Sequence, residues 1–361
     1  MSSWIAIGIM SGTSVDGLDI VAVELVKLNE TWSYKILKSK EVQYSLSLKN
    51  KLIQCIGFSG EQLIYLDLEL GRFIGDEVNK FLNDTLIKPD IIASHGHTVF
   101  HQPGSGMTLQ IGDGQTILNT TGIRTVNDFR KMDVLKGGQG APLVPIGDAL
   151  LFSEYPVCLN IGGFANISFD DFEGNRKAFD TGPANILLNY LTRKLQKDYD
   201  PNGELASSGK VIPNLYDKLN DFPYFKLPPP KSLGLEWVKN NIWSLLDNEK
   251  EPVPNLLCSC IEHIAFQIDQ AISEVSDNNN WEEVNVLVTG GGAYNGFLMS
   301  RLKSLSKNIH YIIPETEIID FKEALIFALL GVLRIHGKEN ILCSVTGAYS
   351  NTIGGTIHDN R

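Results

Sequence analysis

Apolar residues along the chain gather into short β-prone runs and longer stretches of helical spacing, and the two kinds recur in blocks. Three β-prone runs come first, at 4–10, 18–26 and 32–42, the first two separated by the small, polar loop 11–17. Helical spacing follows over 47–56 and 60–86. Pro89 then leads into a short strand at 91–94, and a strand at 108–111 feeds a helical stretch at 113–121. The character changes near Val126. Residues 126–145 combine glycines, two prolines and clustered charges, run into an apolar helix at 146–152, and read as the crossing between domains. A second block of strands is predicted at 157–161, 165–169 and 177–179, with helices at 184–195, 233–246 and 255–276. A strand at 284–289 then enters a triple-glycine turn and a helix from 295. A final helix at 322–336 precedes a Gly/Ser/Thr-rich tail. Each half opens with strands and continues with helices, the pattern of two α/β lobes with a cleft between them. The expected division is 1–125 plus 338–361 for the first lobe and 126–337 for the second. No residue-level repeat relates the halves.

Composition narrows this picture. A chain of 361 residues suits about two domains and has length enough for a sizeable core. A net charge of −11 argues against broad nucleic-acid or anionic-membrane partners, which need a basic face. The five cysteines are irregularly spaced, and the single C-x-C at Cys258 and Cys260 sits in an apolar stretch, so buried free thiols are expected rather than a metal site. The start lacks a basic segment ahead of its apolar run, and the longest apolar run, 324–333, is too short for a bilayer. These features predict a soluble, cytoplasmic protein.

Three segments carry candidate chemistry. In GIMSGTSVDGLD, 8–19, Gly12 and Gly17 allow tight turns, Ser11, Thr13 and Ser14 offer hydroxyls to phosphate oxygens, and Asp16 and Asp19 suit a hard cation such as Mg2+. It is not a Walker loop, and a hairpin with a polar turn explains the same residues. In KAFDTGPANILLN, 177–189, a strand delivers Asp180 to a turn ahead of a helix, where a carboxylate can serve as a base or simply cap the helix. In VLVTGGGAYNGFLMSRL, 286–302, bare backbone at Gly290, Gly291 and Gly292 suits a flat ring. His95, His97 and His101 alternate as if on one face of a strand. With no carboxylate or cysteine cluster beside them, a sugar-contacting or gate-lining role is expected rather than metal binding. Asp128 and Arg130 are candidates for reading substrate hydroxyls or a carboxylate, or form a surface ion pair, and Glu323 reads as a charge at a helix start.

Together GIMSGTSVDGLD, SHGHTVFHQP, VNDFRKMD, GGQGAPLVP, NIGGFANIS, FDTGPAN, TGGGAYN, EALIFALLG and SVTGA run in the order that resembles the anhydro-N-acetylmuramic acid kinase family, across nearly the whole chain. The resemblance implies an actin and sugar-kinase type fold: two ribonuclease H-like lobes, an interlobe nucleotide cleft and a homodimer. It implies ATP-dependent conversion of 1,6-anhydro-N-acetylmuramic acid to N-acetylmuramic acid 6-phosphate in peptidoglycan recycling. ATP would lie against Gly12, Thr13, Ser14, Val15, Asp16, Gly17, Leu18 and Asp19, with adenosine near Gly290, Gly291 and Gly292 and with Mg2+ on Asp16. Asp180 matches the family's catalytic base, while Arg130, Asp128, His97 and Glu323 fall at the sugar side. The chain departs from the family's usual wording at His97, Ala184, Leu233 and Leu235. A kinase for another anhydrosugar such as levoglucosan, and a non-catalytic ATP-dependent binding protein on the same fold, are the two other readings.

Overall fold

Ten residues of β-prone sequence make β1 (Ser2–Ser11), which pairs antiparallel with β2 (Gly17–Leu28), and β2 with β3 (Thr31–Gln43). The computed structural model describes residues 2–12, 15 and 17–360. On the other side of β1 lie β4 (Ile91–Ser94) and β7 (Thr125–Asn127), both parallel, and then β13 (Thr356–His358), antiparallel to β7. A separate hairpin is formed by β5 (His97–Gln102) and β6 (Met107–Ile111).

The second sheet repeats the plan. β8 (Val157–Ile161), β9 (Phe164–Asp170) and β10 (Arg176–Pro183) form an antiparallel meander, and β11 (Val284–Thr289) and β12 (Ile309–Ile312) add parallel strands beyond β8. The core order is third, second, first, fourth, fifth strand in both sheets, which is the ribonuclease H-like arrangement. The fold is therefore the expected α/β class, with the plan present twice although no residue-level repeat is visible.

By contacts the chain divides into one unit of Met1–Leu151 with Phe321–Arg361 and another of Phe152–Asp320. Residues 126–151 and 321–337 thus fall in the first unit. The glycine-rich segment supplies β7 and the helices Lys131–Leu135 and Pro145–Leu151 to it.

Helices bury regular seams against each sheet. In Val253–Asn279 the buried positions Leu257, Ile261, Ile264, Ile268, Ile272 and Val275 step by three or four and join Val157, Leu159, Ile167, Val286 and Val288 in one core. In Gly60–Leu82, capped by the reciprocal Ser59 and Gln62 pair, Leu66, Leu70, Ile74, Val78 and Phe81 do the same. That helix stops at Leu82 rather than at residue 86, because Asn83 leaves helical geometry and Asp84 turns to φ +58°. The stretch expected as one helix at 233–246 is broken into Leu235–Val238, a π-turn over Lys239–Trp243 and Ser244–Asn248. The apolar helix Thr316–Ile335 crosses β1 so closely that a Cβ at Gly8 would run into the Ala324 carbonyl. No helix among the described residues is long and apolar enough to cross a membrane.

Candidate functional site

In the second unit the chemistry gathers at one end of the sheet. Pairing registers place Asp180 opposite Asn166, Asn166 opposite Asn160, and Asn160 beside Thr289, a row crossing four strands at the carboxyl ends of β8, β10 and β11. Ligands of α/β sheets characteristically sit outside such ends. A bulge between Asp180 and Gly182 turns β10 out of the ladder there. The carboxylate Oδ2 accepts a 2.8 Å hydrogen bond from the Leu233 backbone N–H. Burial raises the acid from its ordinary 3.8 to about 6, and the Leu233 bond opposes that rise. Asp180 is no helix cap. The helix Asn185–Arg193 has no side-chain cap, and the N–H groups of Ala184, Asn185 and Ile186 donate to the Gly162 and Gly163 carbonyls instead. Residue 233 contributes main chain only, so the leucine there leaves this contact in place.

Gly290 begins the turn after β11 with φ +81°, and a Cβ on it would lie 2.6 Å from Asn160 Oδ1 and 2.8 Å from the Ile161 carbonyl. The turn continues as Gly291–Tyr294. Gly291, Asn185, Tyr199, Asn202 and Tyr294 line a cavity of about 390 Å3. The glycines were legible in the sequence. Tyr294 belongs to the same segment, but Asn185, Tyr199 and Asn202 were not legible as its neighbours, since they come from segments about a hundred residues upstream.

In the first unit the loop after β1 holds Gly12 and Val15, with the Val15 N–H donating to the Gly12 carbonyl. Val15 has φ +55°, an uncommon conformation for a β-branched residue, and its side chain is buried in the core. Thr13, Ser14 and Asp16 lie outside the described residues. Gly17 starts β2, where Leu18 is buried opposite Ser11, and Asp19 pairs with Met10. The Tyr44 hydroxyl donates to Ser11 Oγ at 2.7 Å. Burial, aided by the Asp19 charge, pushes that tyrosine up to about 12. Among the described residues no three His, Cys, Asp or Glu side chains cluster as a metal site.

Arg130 follows β7 and is held from two directions. Its Nε donates to His95 Nε2 at 3.0 Å and one terminal nitrogen donates to the Gly140 carbonyl at 2.7 Å. His95, buried, meets the Gly96 carbonyl through Nδ1, so the ring is neutral with its proton on Nδ1, and burial with the Arg130 charge keeps its pKa well below the ordinary value. Burial lowers Arg130 to about 10, and Glu323 opposes that fall. Burial raises Glu323, countered first by Arg130 and then by Lys322, which itself pairs with Asp148 at 2.7 Å. Behind Arg130 the fully buried Asp133 accepts from the Gly140 N–H and from the Thr346 hydroxyl, both at 2.8 Å.

Several sequence expectations change here. Glu323 lies inside the helix Thr316–Ile335, not at its start. Asp128, at φ +56°, faces Lys131 at 3.9 Å and does not pair with Arg130. The histidines do not share a strand face: Gly96 at φ +74° turns the chain between His95 and β5, and a register shift between Thr98 and Phe100 falls between His97 and His101. His97 is buried with its pKa lowered by that burial, whereas the exposed His101 meets Thr108 across the hairpin. It is His95, not His97, that contacts Arg130.

Comparison with known proteins gives a consistent answer. The family described as "Anhydro-N-acetylmuramic acid kinase" matches residues 4–360. A protein of that name from Coxiella burnetii is 37% identical over 373 residues, covering 98% of this chain and 96% of its own. One from Photobacterium profundum is 37% identical over 374 residues, covering 98% of both. One from Pseudomonas fluorescens is 34% identical over 371 residues, covering 98% of this chain and 99% of its own. Among solved structures, an activator of the 2-hydroxyisocaproyl-CoA dehydratase from Clostridium difficile with bound ADPNP superposes with a TM-score of 0.40 at 13% identity, over 91% of this chain and 93% of that one.

Proposed function

The chain belongs to the anhydro-N-acetylmuramic acid kinase family, and from that premise we propose that it opens and phosphorylates 1,6-anhydro-N-acetylmuramic acid at the expense of ATP, with Asp180 as the base. The observation that carries this reading is the setting of Asp180: a carboxylate at a strand end whose proton affinity burial has moved toward neutrality, where a general base works best.

Water attacks C1 of the sugar and gives its proton to Asp180. The C1–O6 bond breaks as O6 takes the γ-phosphoryl group, and ADP leaves. The products are N-acetylmuramic acid 6-phosphate and ADP, and the step belongs to peptidoglycan recycling. The base acts on water as in inverting glycosidases, while the phosphoryl step needs positioning and charge stabilisation rather than further covalent chemistry. Arg130, its fork fixed by His95 and Gly140, suits the lactyl carboxylate of the muramyl sugar. A neutral sugar such as levoglucosan offers Arg130 no carboxylate. Asp128, His97 and Glu323 complete the sugar side in this reading. The cavity beside Gly291 suits adenosine, with Gly290 and Gly292 packed closely against Ile161 in the same turn, and the loop from Gly12 to Asp19 suits the phosphates. The oxygen-donor character of that loop fits Mg2+, to be held by Asp19 and by Asp16, which would neutralise phosphate charge. We place the protein in the cytoplasm as a homodimer acting on small molecules, not on nucleic acid or membrane. The test offers purified protein the muramyl anhydrosugar and levoglucosan with Mg-ATP, following ADP release and product mass. ADP formation that depends on the muramyl sugar supports the reading, and equal or greater turnover of levoglucosan refutes the substrate.

A further inference from the structure

β10 is the edge strand of its sheet, so at Asp180 the outward main-chain groups have no neighbouring strand. The segment 224–233 takes that place. Three attachments run from it to one residue. The Tyr224 hydroxyl donates to the Asp180 carbonyl at 2.7 Å, the Asp180 N–H donates to the Lys231 carbonyl at 3.1 Å, and the Leu233 N–H donates to the Asp180 carboxylate at 2.8 Å. The segment is itself tied off. Lys231 Nζ donates to the carbonyls of Phe225 at 3.2 Å and Tyr224 at 3.4 Å, and stands over the rings of Tyr224 at 5.1 Å and Phe179 at 5.7 Å. Lysine to Tyr224, Tyr224 to Asp180 and Asp180 back to Lys231 form a closed circuit.

We infer that Tyr224 and Lys231 are positioning residues, a clasp that fixes the Asp180 carboxylate at the outward bulge of β10. The inference rests on the proposed role of Asp180 as base. With the ladder broken at the bulge, β9 alone does not determine where the main chain of residue 180 lies. The clasp supplies the missing constraint, and it also delivers the single N–H that stabilises the ionised carboxylate. Sequence alone does not reveal it, because the partners lie 44 and 53 residues away. The titratable groups around Asp180 are few. Tyr224 and Lys231 belong to the clasp, Glu274 acts on Lys231, and His263 packs its ring on Phe225 at 5.1 Å. Burial raises Tyr224 and lowers His263 to about 3, which moves both away from neutrality, while burial lowers Lys231 and Glu274 opposes that fall.

The test is Tyr224→Phe, which keeps the ring contacts with Phe225 and Trp237 and removes only the hydroxyl. The expected result is a fall in kcat of roughly tenfold, the scale of a small displacement of a reacting group, with KM for ATP and the thermal midpoint nearly unchanged. The acid limb of kcat against pH should move upward as the Leu233 bond loosens. Lys231→Met should repeat the pattern and Lys231→Arg, which keeps donors, should recover part of it. In an Asp180→Asn background Tyr224→Phe should have no further effect on residual turnover. Wild-type kcat and acid limb in Tyr224→Phe, a loss of thermal midpoint without a kinetic change, or a tenfold loss that persists in Asp180→Asn would each overturn the clasp. Wild-type turnover in Asp180→Asn itself would instead overturn the base assignment.

Discussion

Replacing Asp180 by asparagine should make the protein more stable while ending its chemistry. The side chain keeps its shape, and its amide oxygen can still accept the Leu233 N–H. What disappears is a buried negative charge. Folding raises this acid from 3.8 to about 6, so the folded chain holds the proton more tightly than the unfolded one. The cost to the fold is therefore absent below about pH 4, grows as pH rises through the window from about 4 to about 6, and is complete above it. At about 1.36 kcal/mol per pH decade the full cost is about 3 kcal/mol, an upper figure because relaxation of the unfolded chain and the amide's own burial offset part of it. The expected gain for Asp180→Asn is thus about 1–3 kcal/mol at pH 8, shrinking toward zero at pH 4. Urea unfolding of both proteins at the two pH values measures it, with Trp237, Trp243 and Trp281 reporting on the unit that holds Asp180. In the same preparation kcat should fall by about a thousandfold or more, while ATP binding by calorimetry stays near that of the wild type. Equal stability of the two proteins at pH 8, or a destabilised variant, would refute burial as the cause of the raised acid.

Other perturbations test the remaining parts. Arg130→Ala should raise KM for the muramyl sugar about 10- to 100-fold with a smaller change in kcat, and Arg130→Lys should not restore it because the fork to His95 and Gly140 is lost; steady-state kinetics decide. Gly290→Ala forces a Cβ against Asn160 and Ile161 at a backbone conformation that disfavours it, for a cost of about 1–3 kcal/mol by denaturation, and should raise KM for ATP more than KM for the sugar. Thr346→Val leaves one oxygen of the fully buried Asp133 without its hydroxyl partner and should lower stability by about 1.5–3 kcal/mol in thermal or urea unfolding.

The parts legible in the sequence share a cause: their signal is local. β1, β2, β8 and β11 are rich in apolar, β-prone residues, the helices Gly60–Leu82 and Val253–Asn279 carry three-to-four spacing, and Gly290 marks its own turn. β7, β12 and β13 are three or four residues long, and pairing rather than pattern makes them strands, so the apolar pattern does not reveal them. The segment around Val126 reads as a linker because its glycines and charges build turns, yet those turns cradle Arg130 and Asp133 inside the first unit. The histidine alternation misleads because a left-handed glycine, Gly96, redirects the chain after His95 and a bulge within β5 falls between His97 and His101. The partners of Asp180 are invisible for a different reason. A main-chain N–H at residue 233 has no residue type to recognise.

The coupling of water attack to phosphoryl transfer is best tested by running the reaction in heavy-oxygen water and sampling the product before its anomeric centre exchanges. The account predicts N-acetylmuramic acid 6-phosphate with one heavy oxygen at C1 and none in its phosphate, one ADP for each sugar, and formation of that product slowed by about a thousandfold or more in Asp180→Asn. Heavy oxygen found in free phosphate while the sugar keeps its anhydro bridge would contradict it.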